Sequence, residues 1–465
     1  MTRPASGIVH LGLGAFFRAF GCVYVADAMA ASGGDWGIVG VSLRSPATRD
    51  ALRSHDWSYA SITLAPEGED IRKINVLNDV LVAPEDPGQV LAAMADPAIK
   101  IVSLTVTEKG YCHNPASGAL NLDHPDIQAD LKNSRPVSAP GFLVRALQMR
   151  RAAGHPPFTV LSCDNLPDNG KLVRAVVLDL ARQIDPDLAD WVAEQGRFPS
   201  TMVDRITPAT TQADIDRIAE RTGKPGGAPV LHEPFSQWAI EDDFVNGARP
   251  DLAAAGAEMV ADVSAHEQMK LRMLNGTHSA LAYTGYLAGH DTIAATVADP
   301  VFAAFVHRLW AEIMPAVTPP DGVDLNAYAD ALFARYANPA IQHRTWQIAM
   351  DGSQKLPQRL LGTIADNISA GRSIEALSLG VAAWMRYVSG VDEAGQVIDV
   401  RDPMAAHLFD ISTAQDSVED KVAALLSVAE VFPTDLATQL RTPVTEAAWR
   451  LWTLGARKAL EEHNG

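Results

Sequence analysis

The chain has 465 residues, 47% of them apolar, and 38 basic against 56 acidic residues give a net charge of −18. That length exceeds one ordinary core and points to two domains of about 150–250 residues each. The acidic balance argues against nucleic acid or an anionic membrane as the main partner, but not against a small anionic ligand held in a local cationic pocket.

No apolar window approaches a membrane span. The first residues run straight into a strand-like segment, so no leader is expected. Cys22, Cys112 and Cys163 are far apart and form no Cys-x-x-Cys pair, which fits core thiols in a reducing cytoplasm. The 13 histidines show no His-Glu-x-x-His spacing, so no metal centre is expected.

In chain order, Ile8–Gly12 reads as a buried strand and is followed by a helical stretch through Met29. Trp36–Leu43 is a second strand, and Trp57–Leu64 and Ile71–Val82 are two more. Gln89–Ala95 is a short helix, Ile101–Val106 a buried strand, Gly141–Ala153 a helix and Phe158–Ser162 a strand. Strands alternating with helices predict an α/β unit with a mostly parallel sheet covered on both faces. Gly223–Pro229 is a Gly/Pro surface turn. Beyond about residue 260 helical periods take over: Glu267–Leu287, Pro300–Met314, Leu325–Tyr336, Pro357–Ala370, Ile374–Ser389, Lys421–Ser427 and Thr445–His463. The expected division is residues 1–260 for the sheet unit and 261–465 for an all-helical unit.

A strand, Gly12-x-Gly14 and then a helix is how a dinucleotide-binding fold begins, because glycines let backbone amides approach a pyrophosphate. Phe17 stands where the third fingerprint glycine would be, so the turn alone also fits an ordinary tight bend. Arg18 offers a charge for the phosphates. After Leu43 the run Arg44-Ser45-Pro46 has no acid before Asp50. NAD and NADP therefore both remain open from these residues.

The helix Glu267–Leu287 carries Glu267, Lys270, Asn275 and His278. At about 100° per residue they share an arc of roughly 140°. Lysine suits general-base work when burial or a neighbour brings its pKa toward neutrality. Asn275 can donate to an oxygen that becomes an alkoxide, and His278 can orient a substrate. The competing reading is a solvated face with Leu271 and Leu274 packed inward. Asn165 follows a strand end, where parallel sheets bind ligands; its alternative is an Asx turn. Asn169 in the same loop reads as structural. Glu108 and Lys109 read equally as a loop ion pair or as site residues. Trp346 and Trp384 read as core.

Together, Val9-His-Leu-Gly-x-Gly14-Ala-Phe-x-Arg18, Ser103–Tyr111, Ser162-Cys-Asp-Asn165, Met202-Val-Asp-Arg205, Lys270-x4-Asn275-x2-His278 and His343–Arg359 resemble the polyol-specific long-chain dehydrogenases, the mannitol dehydrogenase family. The likeness runs through nearly the whole chain. Glu241–Gly247, Asp324–Tyr328, His343–Arg359 and Trp384–Asp392 fit the mannonate branch best.

The resemblance implies a Rossmann-type domain followed by a helical one, with the active site between them, and metal-independent hydride transfer between NAD and a secondary alcohol. The implied substrate pair is D-mannonate and D-fructuronate, in cytoplasmic hexuronate breakdown, by a monomer or small homo-oligomer. It also implies roles. Lys270 matches the general base, Asn165 and Asn275 the holders of the substrate oxygen, His278 the orienting histidine and Glu267 a proton relay. Asp204 and Lys355 match substrate contacts. Gly12, Gly14, Phe16, Arg18, Arg44 and Glu108 are the cofactor candidates. Arg344 is the candidate cation for a substrate carboxylate. Two departures stand out: Phe17 and Phe20 replace histidines usual in the family, and Gln347 stands where mannitol-type members carry arginine. The alternatives are a mannitol 2-dehydrogenase or another sugar-alcohol dehydrogenase, and a catalytically silent nucleotide-binding sensor.

Overall fold

A computed structural model describes residues 3–114, 117–224 and 226–464. Pro225, in the Gly/Pro turn, lies outside the described residues. The chain divides into residues 1–264 and 265–465.

The strands, numbered along the chain, are β1 Ser6–Leu11, β2 Gly37–Ser42, β3 Tyr59–Ala65, β4 Gly68–Ile74, β5 Leu77–Val82, β6 Ile101–Leu104, β7 Thr159–Ser162, β8 Thr201–Asp204, β9 Val230–His232, β10 Gln237–Glu241 and β11 Glu258–Val260. Five form a parallel sheet in the order β5-β2-β1-β6-β7. Successive side chains leave opposite faces of a strand. Ile8, Ile38 and Ile101 accordingly pack with Phe17, Phe20 and Val25 on one side. Val9, Val102 and Val160 pack with Phe142, Leu143 and Val176 on the other. Coverage on both faces is why these strands are continuously apolar. Asp86 and Ser138 cap the helices Pro87–Ala95 and Ala139–Ala152 by accepting from first-turn amides.

The expected single strand Ile71–Val82 is two strands in two sheets. β4 pairs antiparallel with β3, and β9 joins β3 from its other side. β5 enters the parallel sheet beside β2. The reason is polarity: β4 exposes Arg72 and Lys73, whereas Val80, Leu81 and Val82 are buried. Trp57 lies in a turn at φ 55, so the preceding strand starts at Tyr59.

Residues 265–465 are helical around a core that includes Trp310 and Trp384. The helices Thr277–Leu287 and Glu375–Val388 are buried nearly all round. They meet where a methyl on Gly380 would stand 3.2 Å from the Ala280 Cβ. Two helical expectations are modified. The last helix is split into Thr434–Leu454 and Ala456–Asn464 at Gly455, whose φ is +82. The Pro357–Ala370 helix opens with a π-helical turn, Pro357–Leu361, before Gly362–Ser369. Among the described residues no helix is long and apolar enough to cross a membrane.

Candidate active site

In the first unit the candidates other than Asp204 lie at or beyond the carboxyl ends of the parallel strands. Directly after β1 the chain turns at Gly12, φ +89, where a Cβ would meet the Thr105 carbonyl oxygen at 2.2 Å. Only glycine fits there. A Cβ on Gly14 would meet nothing nearer than 3.8 Å, so the space beside it is open. Gly14 heads the short helix Ala15–Ala19. Phe16 is half-buried and stacks on Phe20 with centroids 5.1 Å apart.

Phe17 and Phe20 are core residues. Phe17 lies flat on His10 at 3.3 Å between centroids, and Phe20 packs against Tyr24 and Trp238. His10 is tied to the Ser103 and Thr105 hydroxyls, and burial pushes its pKa down to about 3.

Arg18, the cation offered for the phosphates, lies in the helix Ala15–Ala19. It is buried, its guanidinium donates to the carbonyls of Ala228 and Gly14, and it lies over the Tyr59 ring at 5.5 Å. Arg44 is exposed just beyond β2, and Glu108 is exposed at the head of the tight turn Glu108–Tyr111.

Asn165 is exposed in the loop after β7. Its neighbour Asp164 carries a role that sequence reasoning missed. The Asp164 carboxylate accepts from the Val106 and Thr107 amides, both at 2.9 Å, and from the Tyr111 hydroxyl at 2.7 Å. It thereby pins the loop after β6, including Thr107 at φ 65, to the loop that carries Asn165. Burial raises the Asp164 pKa, and its hydrogen bonds oppose that rise. The signal available was its position at a strand end inside the matched motif. Asn169 is structural: its amide donates to the Asp164 and Thr201 carbonyls and accepts from the Thr201 N–H. Asp204 is buried at the end of β8.

Cys112, His124 and Asp126 bring possible metal-ligating atoms within 4.8 Å of one another. His124 Nδ1 accepts the Asp126 N–H there, as the cap of the helix Pro125–Lys132.

In the second unit the key segment is not an ordinary α-helix. Lys270–Gly276 forms a π-helical turn between Ser264–Met269 and Thr277–Leu287. A π turn closes from i to i+5. Asn275 therefore sits one wide turn beyond Lys270, instead of about 140° around the axis as an α-helix would place it. Side-chain donors reach successive carbonyls of this turn. Trp310 Nε1 donates to Met273 O at 3.3 Å, Tyr336 Oη to Leu274 O at 3.1 Å and Arg359 Nη1 to Asn275 O at 3.5 Å. Arg272 pins its outer side to Asp366 and the Ala316 carbonyl, both at 2.6 Å.

Lys270 is buried, Glu267 and Asn275 half-buried. His278 is buried, its ring 4.7 Å from Tyr336 and edge-on to His343 at 5.2 Å. Burial, then the neighbouring His343 and the cations Arg335 and Arg359, holds His278 neutral by pushing its pKa well down. Burial, then Arg359 and Lys355, lowers His343 to about 4, and its Nδ1 is buried without a hydrogen-bond partner among the described residues. Lys355 donates to the Met350 carbonyl at 2.5 Å and more weakly to Ile348. Burial and the charge of Arg359 bring the Lys355 ammonium down to about 8.

Arg344, the candidate cation for a substrate carboxylate, immediately precedes the helix Thr345–Ala349. Its side chain is exposed at the head of the helix Thr345–Ala349. Gln347 is exposed as well. Trp384 is core, whereas Trp346 is half-buried under the Arg401 guanidinium at 4.4 Å. His343 and Arg359, the two ends of the matched run, join the cluster, and so does Tyr336, by geometry that no local sequence pattern announces.

Comparison with known proteins identifies the architecture. Residues 6–254 match the mannitol dehydrogenase Rossmann domain and residues 262–452 the mannitol dehydrogenase C-terminal domain. The chain is 47% identical to the D-mannonate oxidoreductase of Escherichia coli (strain K12), over 99% of this chain and 96% of that one. It is similar in structure to a Pseudomonas fluorescens mannitol 2-dehydrogenase solved with NAD and D-mannitol, at a TM-score of 0.86 and 36% identity, covering 99% of this chain and 94% of the other. It is also similar to a substrate-free D-sorbitol dehydrogenase, at a TM-score of 0.91 and 33% identity, covering 98% and 95%.

The Lys355 shift has a measurable consequence. Below about pH 8 the folded and unfolded chains both hold the Lys355 proton; between about 8 and the ordinary 10.5 the unfolded chain holds more. Stability rises with pH wherever the unfolded state binds more protons. The unliganded protein should therefore gain roughly 1–2 kcal/mol from this group across that window, after allowance for solvent screening. Urea unfolding of the parent and Lys355→Met from pH 7.5 to 10 checks this. The parent-minus-variant difference should grow with pH, and a flat difference contradicts the assignment.

Proposed function

The chain belongs to the mannitol dehydrogenase family, and from that membership we propose that it is an NAD-dependent, metal-independent oxidoreductase interconverting D-mannonate and D-fructuronate. Residues 1–260 serve as the dinucleotide-binding domain and 261–465 as the substrate domain. The open space beside Gly14 and the crowded bend at Gly12 suit a pyrophosphate lying against backbone amides. Phe16, Arg18, Arg44 and Glu108 are the remaining cofactor candidates. Bound there, NAD would supply the hydride acceptor for oxidation, and NADH the hydride donor for reduction.

The chain's own residues handle the proton and the orientation. Unprotonated Lys270 takes the hydroxyl proton during oxidation; protonated Lys270 returns it during reduction. Glu267 relays that proton toward water. Asn165 and Asn275 donate to the oxygen as it gains alkoxide character, an electrostatic contribution of several kcal/mol when donors are preorganised. Neutral His278 offers a hydrogen bond that fixes one hydroxyl, and Asp204 and Lys355 contact the rest of the substrate.

One observation carries the choice of an acid over a neutral polyol. Lys355 and Arg359 are half-buried cations, Arg359 lowering the proton affinity of Lys355, and neither has a carboxylate within ion-pair distance among the described residues. Burying a charge is costly unless it is paired. A substrate carboxylate relieves that cost, through a charge-assisted bond worth about 1.5–3 kcal/mol.

NADH oxidation with D-fructuronate and D-fructose, measured side by side, tests the substrate. Fructuronate should lead in kcat/KM by at least about tenfold; parity or a preference for fructose would move the protein to the mannitol type. Lys270→Ala should lower turnover by orders of magnitude while NADH affinity stays near that of the parent. Turnover within a few-fold of the parent would remove Lys270 from the proton-transfer role.

A further inference from the structure

We propose that Arg359 reads the substrate's carboxylate, from an anchor on the same wide turn that carries Asn275. The proposal rests on the reading of the substrate as an aldonate. Three cations in this unit are candidates for that role, and their surroundings separate them. Arg344 is exposed. Lys355 directs its ammonium at the Met350 and Ile348 carbonyls. Arg359 uses one nitrogen only: Nη1 donates to the Ser279 hydroxyl at 3.0 Å and to the Asn275 carbonyl at 3.5 Å. Its Nε and Nη2 have no acceptor among the described residues.

A guanidinium offers its donors in a rigid planar fork. With Nη1 anchored, the Nε–Nη2 edge is oriented and unused, and that edge matches the two oxygens of a carboxylate. The surroundings suit an anion. The titratable groups acting on Arg359 are the neutral phenols Tyr283 and Tyr336, and His278 and His343 nearby are held uncharged.

The anchor gives the contact a second effect. Asn275 is the assigned donor to the reacting oxygen, and its main-chain carbonyl is held by the guanidinium that meets the far end of the substrate. A second π turn, Pro357–Leu361, carries Arg359 itself. The two turns touch where a Cβ on Gly276 would meet the Arg359 carbonyl oxygen at 2.6 Å. Seating a carboxylate on Arg359 therefore positions the donor, so losing the fork should lower kcat for the acid and not only raise its KM.

The test is steady-state kinetics with NADH on the full-length parent, Arg359→Gln and Arg359→Lys, each with D-fructuronate and D-fructose. In Arg359→Gln the acid-to-neutral ratio of kcat/KM should fall roughly hundredfold, with part of the loss in kcat. Arg359→Lys keeps the charge but not the fork, and should lie between the two. It also serves as the informative variant if the glutamine form fails to fold. An acid preference retained within about threefold, in either folded variant, overturns the assignment of Arg359 while leaving the aldonate reading standing. Equal loss on both substrates overturns it too, since a purely structural clamp does that. A parent with no preference for the acid sinks the aldonate reading, and the carboxylate role falls with it.

Discussion

The arrangement of the second unit depends on one close approach: the α-carbon of Gly276 against the main-chain carbonyl of Arg359. A methyl group at Gly276 would stand 2.6 Å from that oxygen. Around this contact two helices each open by a residue into a π turn, Lys270–Gly276 and Pro357–Leu361. Widening a helical turn weakens its internal hydrogen bonding, and buried carbonyls need partners. The second turn supplies one of its own, the Gly362 N–H to the Pro357 carbonyl. The first likewise closes the Thr277 N–H onto the Leu274 carbonyl, and it also draws on Trp310, Tyr336 and Arg359, which come from three other segments. The backbone at the assigned base and oxyanion donor is thus held by side chains far away in sequence. Such external satisfaction is what lets an irregular turn persist inside a packed core.

Electrostatics follow from the same packing. The cluster around His278 holds cations and neutral rings. Burial and mutual repulsion lower Lys355 and keep both histidines uncharged. This is an expensive arrangement for an empty protein and a favourable one for a bound anion. Stability is spent at the site and recovered elsewhere, in the apolar helices Thr277–Leu287 and Glu375–Val388 and in the parallel sheet of the first unit. That sheet does comparable work: Asp164 takes the amides of Val106 and Thr107, locking the loops at its carboxyl edge against one another.

Much of this was legible in the residues, and the failures have physical causes. Continuous Val and Ile runs marked the parallel strands because both faces of that sheet are covered. Ile71–Val82 misled because two adjacent strands of opposite polarity meet there without an obvious break. The wide turns were hidden because a fixed rotation of 100° per residue presumes an α-helix. Gly276, inside a helical period, and Pro357, at the head of one, were the available hints. Arg18 and Arg344 were assigned by charge and neighbourhood alone. Arg18 also donates to the carbonyl of Ala228, 210 positions along the chain, and nothing local reveals such a partner. Arg359 was visible as a cation, but its unused fork edge exists only in three dimensions.

The central claim is that a cationic site built on paired wide turns favours a carboxylate over a neutral end group. Isothermal titration of the NADH-loaded protein with D-mannonate and with D-mannitol, near pH 7 and at two salt concentrations, tests this without catalysis, because neither alcohol can pass a hydride to the reduced cofactor. Mannonate should bind at least about tenfold tighter, the minimum expected of one charge-assisted contact, and its advantage should shrink as salt rises. Equal affinities, or tighter binding of mannitol, would contradict the account.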